Sequence, residues 1–126
     1  MKVVLSNEEL NKVVFDSLCN GLDQLSYSGV VLNWDLIGAN YKAHKNEGDT
    51  IEDVLMKVLN AGLPLVFEDM EEGDQDGSFT LAEARQRLEE SQEAAKYILN
   101  TIKEDSDATD ACAILEICLY GKVIFG

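Results

Sequence analysis

TIEDVLMKVLNAGLPLVFEDMEEGDQDGSFTLAE, running from Thr50 to Glu83, is the stretch that decides the fold. Thr50 offers a capping oxygen, and Glu52 and Asp53 stand at the positive end of the helix dipole that follows. Ile51, Val54, Leu55, Val58 and Leu59 recur at helical spacing and form one apolar stripe, which Gly62 ends. Past Pro64 the pattern changes to Leu65-Val66-Phe67, a short apolar strand entered through a proline. Glu68 to Ser78 is an acidic turn region. Thr80 with Glu83 then makes a capping box that opens another helix. Helix, strand, turn and helix in this order do not alternate as a doubly wound sheet requires. They predict an α+β fold with a small, mainly antiparallel sheet.

Toward the N-terminus, Ser6 and Glu9 form a further capping box, and Leu10, Val13, Val14 and Leu18 share a helical face. The pattern predicts a helix from about Asn7 to Asn20, with Gly21 as its stop. Gly29 to Leu36 (GVVLNWDL) reads as a strand, and Gly38 to Asp49 as a polar loop. Toward the C-terminus one long helix is expected from Leu81 to Lys103, its inner face being Leu81, Ala84, Leu88, Ala95, Leu99 and Ile102. A second acid run, Glu104 to Asp110, interrupts it. A helix over Ala108 to Tyr120 follows, with Ala111, Leu115, Cys118 and Leu119 inward, and Val123-Ile124-Phe125 reads as a last strand. The expectation is thus about four helices and a small sheet, forming a single α+β domain over residues 1–126.

Composition narrows the function. The chain has 126 residues, 24 of them acidic against 10 basic, for a net charge of −14. Such a field repels phosphates and anionic membrane surfaces and favours basic partners or cations; a merely solubilising role is the plainer alternative. Cys19, Cys112 and Cys118 are odd in number and lack a C-x-x-C spacing, which reads as reduced core thiols. With His44 the only histidine, zinc ligation is disfavoured. The opening Met1-Lys2-Val3-Val4-Leu5 turns polar at once, so no secretory signal or membrane span is expected and the protein reads as cytoplasmic.

Glu72-Gly73-Asp74-Gln75-Asp76-Gly77-Ser78-Phe79-Thr80-Leu81-Ala82-Glu83 is the sharpest local match to a known device. Laid on the calcium loop of an EF-hand, Glu72, Asp74 and Asp76 fall at positions 1, 3 and 5, with Gly77 at the sharp turn. Ser78 would offer its carbonyl, and Glu83 would be the bidentate ligand at position 12. A hard cation wants several oxygens, and a tight loop points alternate ones inward. Against this, position 1 is glutamate, and the incoming segment reads as a strand. The competing reading is an acidic turn between strands Leu65–Phe67 and Ser78–Thr80, with Glu83 serving as a helix cap.

No nucleotide-binding or nucleophile-elbow motif is present, and no carboxylate pair stands in an apolar setting that would split two pKa values. Trp34, Tyr41 and His44 lie close enough in sequence to line a pocket, which is the one enzymatic reading. The acid clusters fit a different class of function. Carboxylates on successive helical turns lie a few ångströms apart, as phosphates along one strand do. A basic protein could therefore be met by Glu68, Asp69, Glu71, Glu72, Asp74 and Asp76 at one cluster, or by Glu104, Asp105 and Asp107 at the other. On the expected long helix Glu83, Glu89, Glu90 and Glu93 form a weaker row, interrupted by Arg85 and Arg87.

Two stretches carry a family resemblance. One runs from Glu52-Asp53-Val54-Leu55 through Ala61-Gly62-Leu63-Pro64-Leu65-Val66-Phe67-Glu68-Asp69 to Phe79-Thr80-Leu81. The other runs from Asp107-Ala108-Thr109-Asp110 through Ala111-Cys112-Ala113-Ile114-Leu115 to Leu119-Tyr120-Gly121-Lys122-Val123-Ile124-Phe125-Gly126. Over the C-terminal two-thirds the chain resembles small uncharacterised accessory proteins encoded by bacteriophages and prophages. It departs from them over residues 21–49. The resemblance implies a phage accessory protein acting in the cytoplasm of a bacterial host. Together with the charge it leads to the expectation of a non-enzymatic protein that binds a host or phage protein, as an acidic inhibitor imitating nucleic acid. The alternative is a calcium module at residues 72–83.

Overall fold

The computed structural model describes residues 4–125. Six helices and three strands occur among them: α1 (Asn7–Tyr27), β1 (Val30–Leu32), α2 (Trp34–His44), α3 (Ile51–Asn60), β2 (Leu65–Asp69), β3 (Gly77–Phe79), α4 (Leu81–Glu90), α5 (Ala94–Ile102) and α6 (Ala108–Tyr120). The α+β class and the antiparallel sheet agree with the sequence. The expected count of about four helices does not, and each departure has a local cause.

Gly21 does not stop the first helix. It lies inside α1 against α6, where a Cβ would stand 2.8 Å from the backbone carbon and oxygen of Ala111. Only glycine lets the two helix backbones approach so closely, and that contact outweighs its poor helix propensity. Ser106 donates to Asp16 at 2.9 Å, so the pairs 16–106 and 21–111 advance together and the two helices run in the same direction. The expected loop over residues 38–49 is largely α2. Asn33 caps it by accepting from the Leu36 N–H, Ile37 is buried, and Trp34 meets Tyr41 edge-on with ring centroids 5.0 Å apart.

The expected long helix is broken at Ser91, whose ψ of 124° is extended. Serine competes for backbone hydrogen bonds and so favours helix ends. The break resets the helical phase. Ala84 and Leu88 are buried before it, and Ala94, Ile98 and Thr101 after it, while Leu99 and Ile102 face solvent. The expected final strand is also absent. The N–H groups of Ile124 and Phe125 donate to the carboxylate of Glu116, at 3.0 and 2.7 Å, and not to a neighbouring strand.

The sheet order is β1-β2-β3, antiparallel throughout. Val30 pairs with Asp69 and Leu65 with Phe79. Leu65, Phe67 and Phe79 point into the core, where the two phenylalanine rings stack 6.1 Å apart. At the centre lies α6, in which every residue from Ala111 to Leu119 is buried. A helix apolar all round must be enclosed, and α1, α4, α5 and β3 enclose it. No helix among the described residues is long and apolar enough to cross a membrane.

Candidate functional site

The acidic turn between β2 and β3 is built by its own carboxylates. Asp69, the last residue of β2, accepts from the backbone N–H groups of Glu71 (3.0 Å), Glu72 (3.3 Å) and Gln75 (3.3 Å). Asp76 accepts from the N–H of Asp69 at 2.7 Å. These bonds give the turn the partners that a ladder would otherwise supply. Two further ties hold it to the body. Met70 N–H donates to the carbonyl of Gly29 at 2.7 Å, and the Tyr120 hydroxyl donates to the carbonyl of Gln75 at 2.6 Å. Burial pushes the Tyr120 phenol up to about 12, and the charges of Asp69, Glu116 and Asp76 push the same way. Gly29 has φ +88°, and a Cβ there would meet the Glu71 side chain at 2.7 Å, so Glu71 lies across the start of β1.

The sequence cluster therefore divides in two. Asp69 and Asp76 are spent inside the turn. Glu68, Glu71, Glu72 and Asp74 have no lysine or arginine in ion-pair reach among the described residues. They leave a concentrated negative charge on a turn that is pinned at both ends.

The second acid run connects α5 to α6. The Glu104 N–H donates to Thr101 O and the Asp105 N–H to Asn100 O, with Glu104 at φ +62°. This is a Schellman ending with glutamate in the left-handed position glycine normally takes. Glu104 pairs with Lys12 at 3.5 Å, and Asp107 caps α6 by accepting from Asp110 N–H at 2.9 Å. Asp105 alone of the three makes no side-chain bond among the described residues. The two acid runs were expected at the ends of one long helix; they stand instead at opposite ends of α6, about 20 Å apart by helical rise.

The weaker helical row is mostly committed elsewhere. Glu83 caps α4 through Thr80 and pairs with Arg87 at 3.2 Å. Glu89 accepts from Leu5 N–H at 2.8 Å and from Arg85. Glu93 accepts from Val123 N–H at 3.2 Å. Only Glu90 remains a surface charge with no backbone partner. Arg87, read from the sequence as a surface interruption, instead donates to Ser78 O, Cys118 O and Leu119 O. It binds β3 and α4 to the carbonyl end of α6.

For the calcium arrangement, the incoming element is a strand and not a helix. Asp76 and Glu83 already hold backbone N–H groups, and Ser78 pairs with Val66 in the sheet. Among the described residues no three histidine, cysteine, aspartate or glutamate side chains converge in the way a metal ion needs. In the other polar region His44 Nδ1 meets the Asn40 carbonyl at 2.8 Å. Cys112 and Cys118 are buried and Cys19 is exposed. Burial pushes both buried thiols up to about 12, with the Glu116 carboxylate adding to the effect at Cys112 and Arg87 opposing it at Cys118. Cys19 is raised too, by partial burial and then by Glu52, Asp16 and Asp53. All three are held as thiols, the reverse of an activated nucleophile.

Sequence reasoning missed the turn-organising role of Asp69 and the anchoring roles of Arg87, Glu116 and Tyr120. Arg87 and Tyr120 reach partners 31 and 45 residues away, while Asp69 and Glu116 bond to backbone within nine residues, in a turn and a chain reversal that no local motif announces. A lone glutamate inside the apolar run Ala111–Leu119 was the one available signal. Set beside known proteins, the chain matches no family model, no curated protein and no solved structure.

Proposed function

We propose that the protein is a non-enzymatic accessory protein that binds a protein partner with a basic surface, in the cytoplasm of a bacterial host, through the acidic β2–β3 turn. It acts there as an inhibitor in place of nucleic acid. The phage context rests on the sequence resemblance. The binding role rests on one observation: four carboxylates, on Glu68 at the end of β2 and on Glu71, Glu72 and Asp74 of the turn, are carried on a hairpin connection that two other carboxylates lock from within. Charges fixed in advance cost little ordering on association, and electrostatic complementarity raises the rate of encounter. Asp105, with Glu104, supplies a second acidic point at the far end of α6.

The test is a salt series on the partner recovered by affinity capture with the intact chain. Affinity should fall steeply as salt rises, because the interaction is between exposed charges. An affinity that stays flat from low to high salt overturns the reading.

A further inference from the structure

Between the C-terminal end of α1, α5, α6 and the chain's last described residues lies a cavity of about 230 Å³. That is several times the roughly 30 Å³ one water occupies in the liquid. It is below the roughly 300 Å³ at which drug-sized pockets begin, so its ligand is small. Tyr97 and Phe125 line it, Tyr27 stands at its mouth, and Thr109 and Gln24 add polar atoms. The one lining side chain with a carboxyl group is Glu116, which is only 3 % exposed. One oxygen of Glu116 accepts from Ile124 N–H and Phe125 N–H. The other meets, among the described residues, only the Cys112 thiol at 3.6 Å.

A thiol is a weak donor, so this buried oxygen keeps acceptor capacity in a low-dielectric setting where an opposite charge is worth most. Aromatic ring faces attract cations for a separate reason, their quadrupole. Tyr97 shows this already, with Lys96 Nζ 4.8 Å from its ring centroid. A divalent metal would want several carboxylate oxygens, and this cavity offers one carboxylate among aromatic rings. Anions are repelled by Glu116 and by the net charge of −14. We propose that this cavity is a binding site for a small organic cation, an amine or quaternary ammonium group, paired with Glu116 and set against Tyr97 and Phe125. The site is separate from the acidic turn, and its success or failure leaves the proposal for that turn untouched.

The experiment is an amide NMR titration of the intact chain with tetramethylammonium chloride, against sodium chloride at equal ionic strength. Saturable shifts are expected at Thr109, Ala113, Glu116 and the amides of residues 123–125, with a dissociation constant on the order of 1 mM and no matching response to sodium. Glu116→Gln should weaken binding at least about tenfold. Because that change also touches the tail anchor, Thr109→Phe is the second variant. It fills the mouth from an exposed helix position and should weaken binding comparably while the circular dichroism stays unchanged. If Glu116→Gln does not fold, Thr109→Phe decides alone. Shifts reproduced by sodium, shifts confined to residues 68–76, or full binding in either folded variant overturn the proposal.

Discussion

Glu116 is a carboxylate carried into the centre of the molecule by the most apolar helix of the chain. Its partners are two backbone N–H groups that the chain supplies only after turning back at Gly121. A hydrogen bond to a charged group is worth about 1.5–3 kcal/mol. Glu116→Ala, which removes two such bonds, should therefore lower stability by about 3 kcal/mol or more in urea unfolding and speed amide exchange at Ile124 and Phe125, whereas Glu116→Gln, which keeps an acceptor, should cost less. Equal costs for the two variants would show that the charge, and not an acceptor alone, carries the anchor. Tyr120 makes a bond of much longer range, to Gln75. At neutral pH Tyr120→Phe should cost about 1 kcal/mol. The sign of its pH dependence follows from the raised pKa. The folded state holds the phenol neutral up to about 12, while the unfolded chain releases the proton near 10. The stabilisation is complete below pH 10 and is lost as the pH rises through 12. The variant, having no phenol, should be flatter over that window, so the two stability curves converge on the alkaline side. Parallel curves would mean the tyrosine is not buried as described.

Four of the six helix starts, those of α1, α3, α4 and α6, were legible in the sequence because capping is local; the start of α2 lay in an expected strand and that of α5 inside an expected long helix. Ser6 with Glu9, Thr50 with Asp53, Thr80 with Glu83 and Asp107 with Asp110 all form reciprocal boxes, each readable within four residues. Helix ends were less legible, since what ends or extends them lies elsewhere in the chain. Gly21 carries the same letter as a stop signal, and only its contact with Ala111 shows why the helix runs on to Tyr27. A substitution isolates that contact. Gly21→Ala improves helix propensity by about 1 kcal/mol yet places a methyl 2.8 Å from rigid backbone. Overpacking of this kind costs about 1–3 kcal/mol, so the variant should be net destabilised, by thermal unfolding, although an isolated α1 peptide carrying it should be more helical. A stabilised protein would place the α1–α6 spacing wider than described. The same limit explains the candidate site. The six acids of residues 68–76 were visible in the sequence as a cluster. That Asp69 and Asp76 serve the turn while Glu68, Glu71, Glu72 and Asp74 do not depends on which backbone N–H groups the hairpin leaves over.

At the scale of the whole molecule, the net charge of −14 is unevenly usable. Much of it is tied down in caps, in ion pairs and in the anchoring of both ends of the chain through Glu89 and Glu93. This division turns the charge into a ranked set of tests. Reversal of Glu72 and Asp74 together, both exposed and without a bond to the fold, should weaken a basic partner by about tenfold, mainly through slower association, and should flatten its salt dependence. Reversal of Glu104 and Asp105 should weaken it less, since Glu104 is already countered by Lys12 and the loop stands at the opposite end of α6. Reversal of Glu90, the surface charge of α4 with no backbone partner, should change affinity least of the three. All three variants should unfold at nearly the wild-type temperature, because the only bonds these carboxylates make within the described residues are the exposed ones of Glu104 to Lys12 and of Glu90 to Gln86. Asp76→Lys is the control that separates structure from field. It makes half that charge change in the same turn but removes the acceptor for Asp69 N–H, so it should cost stability as well as affinity. If Glu90 ranks first, the outer face of α4 is the contact surface and the turn is only a well-made hairpin connection.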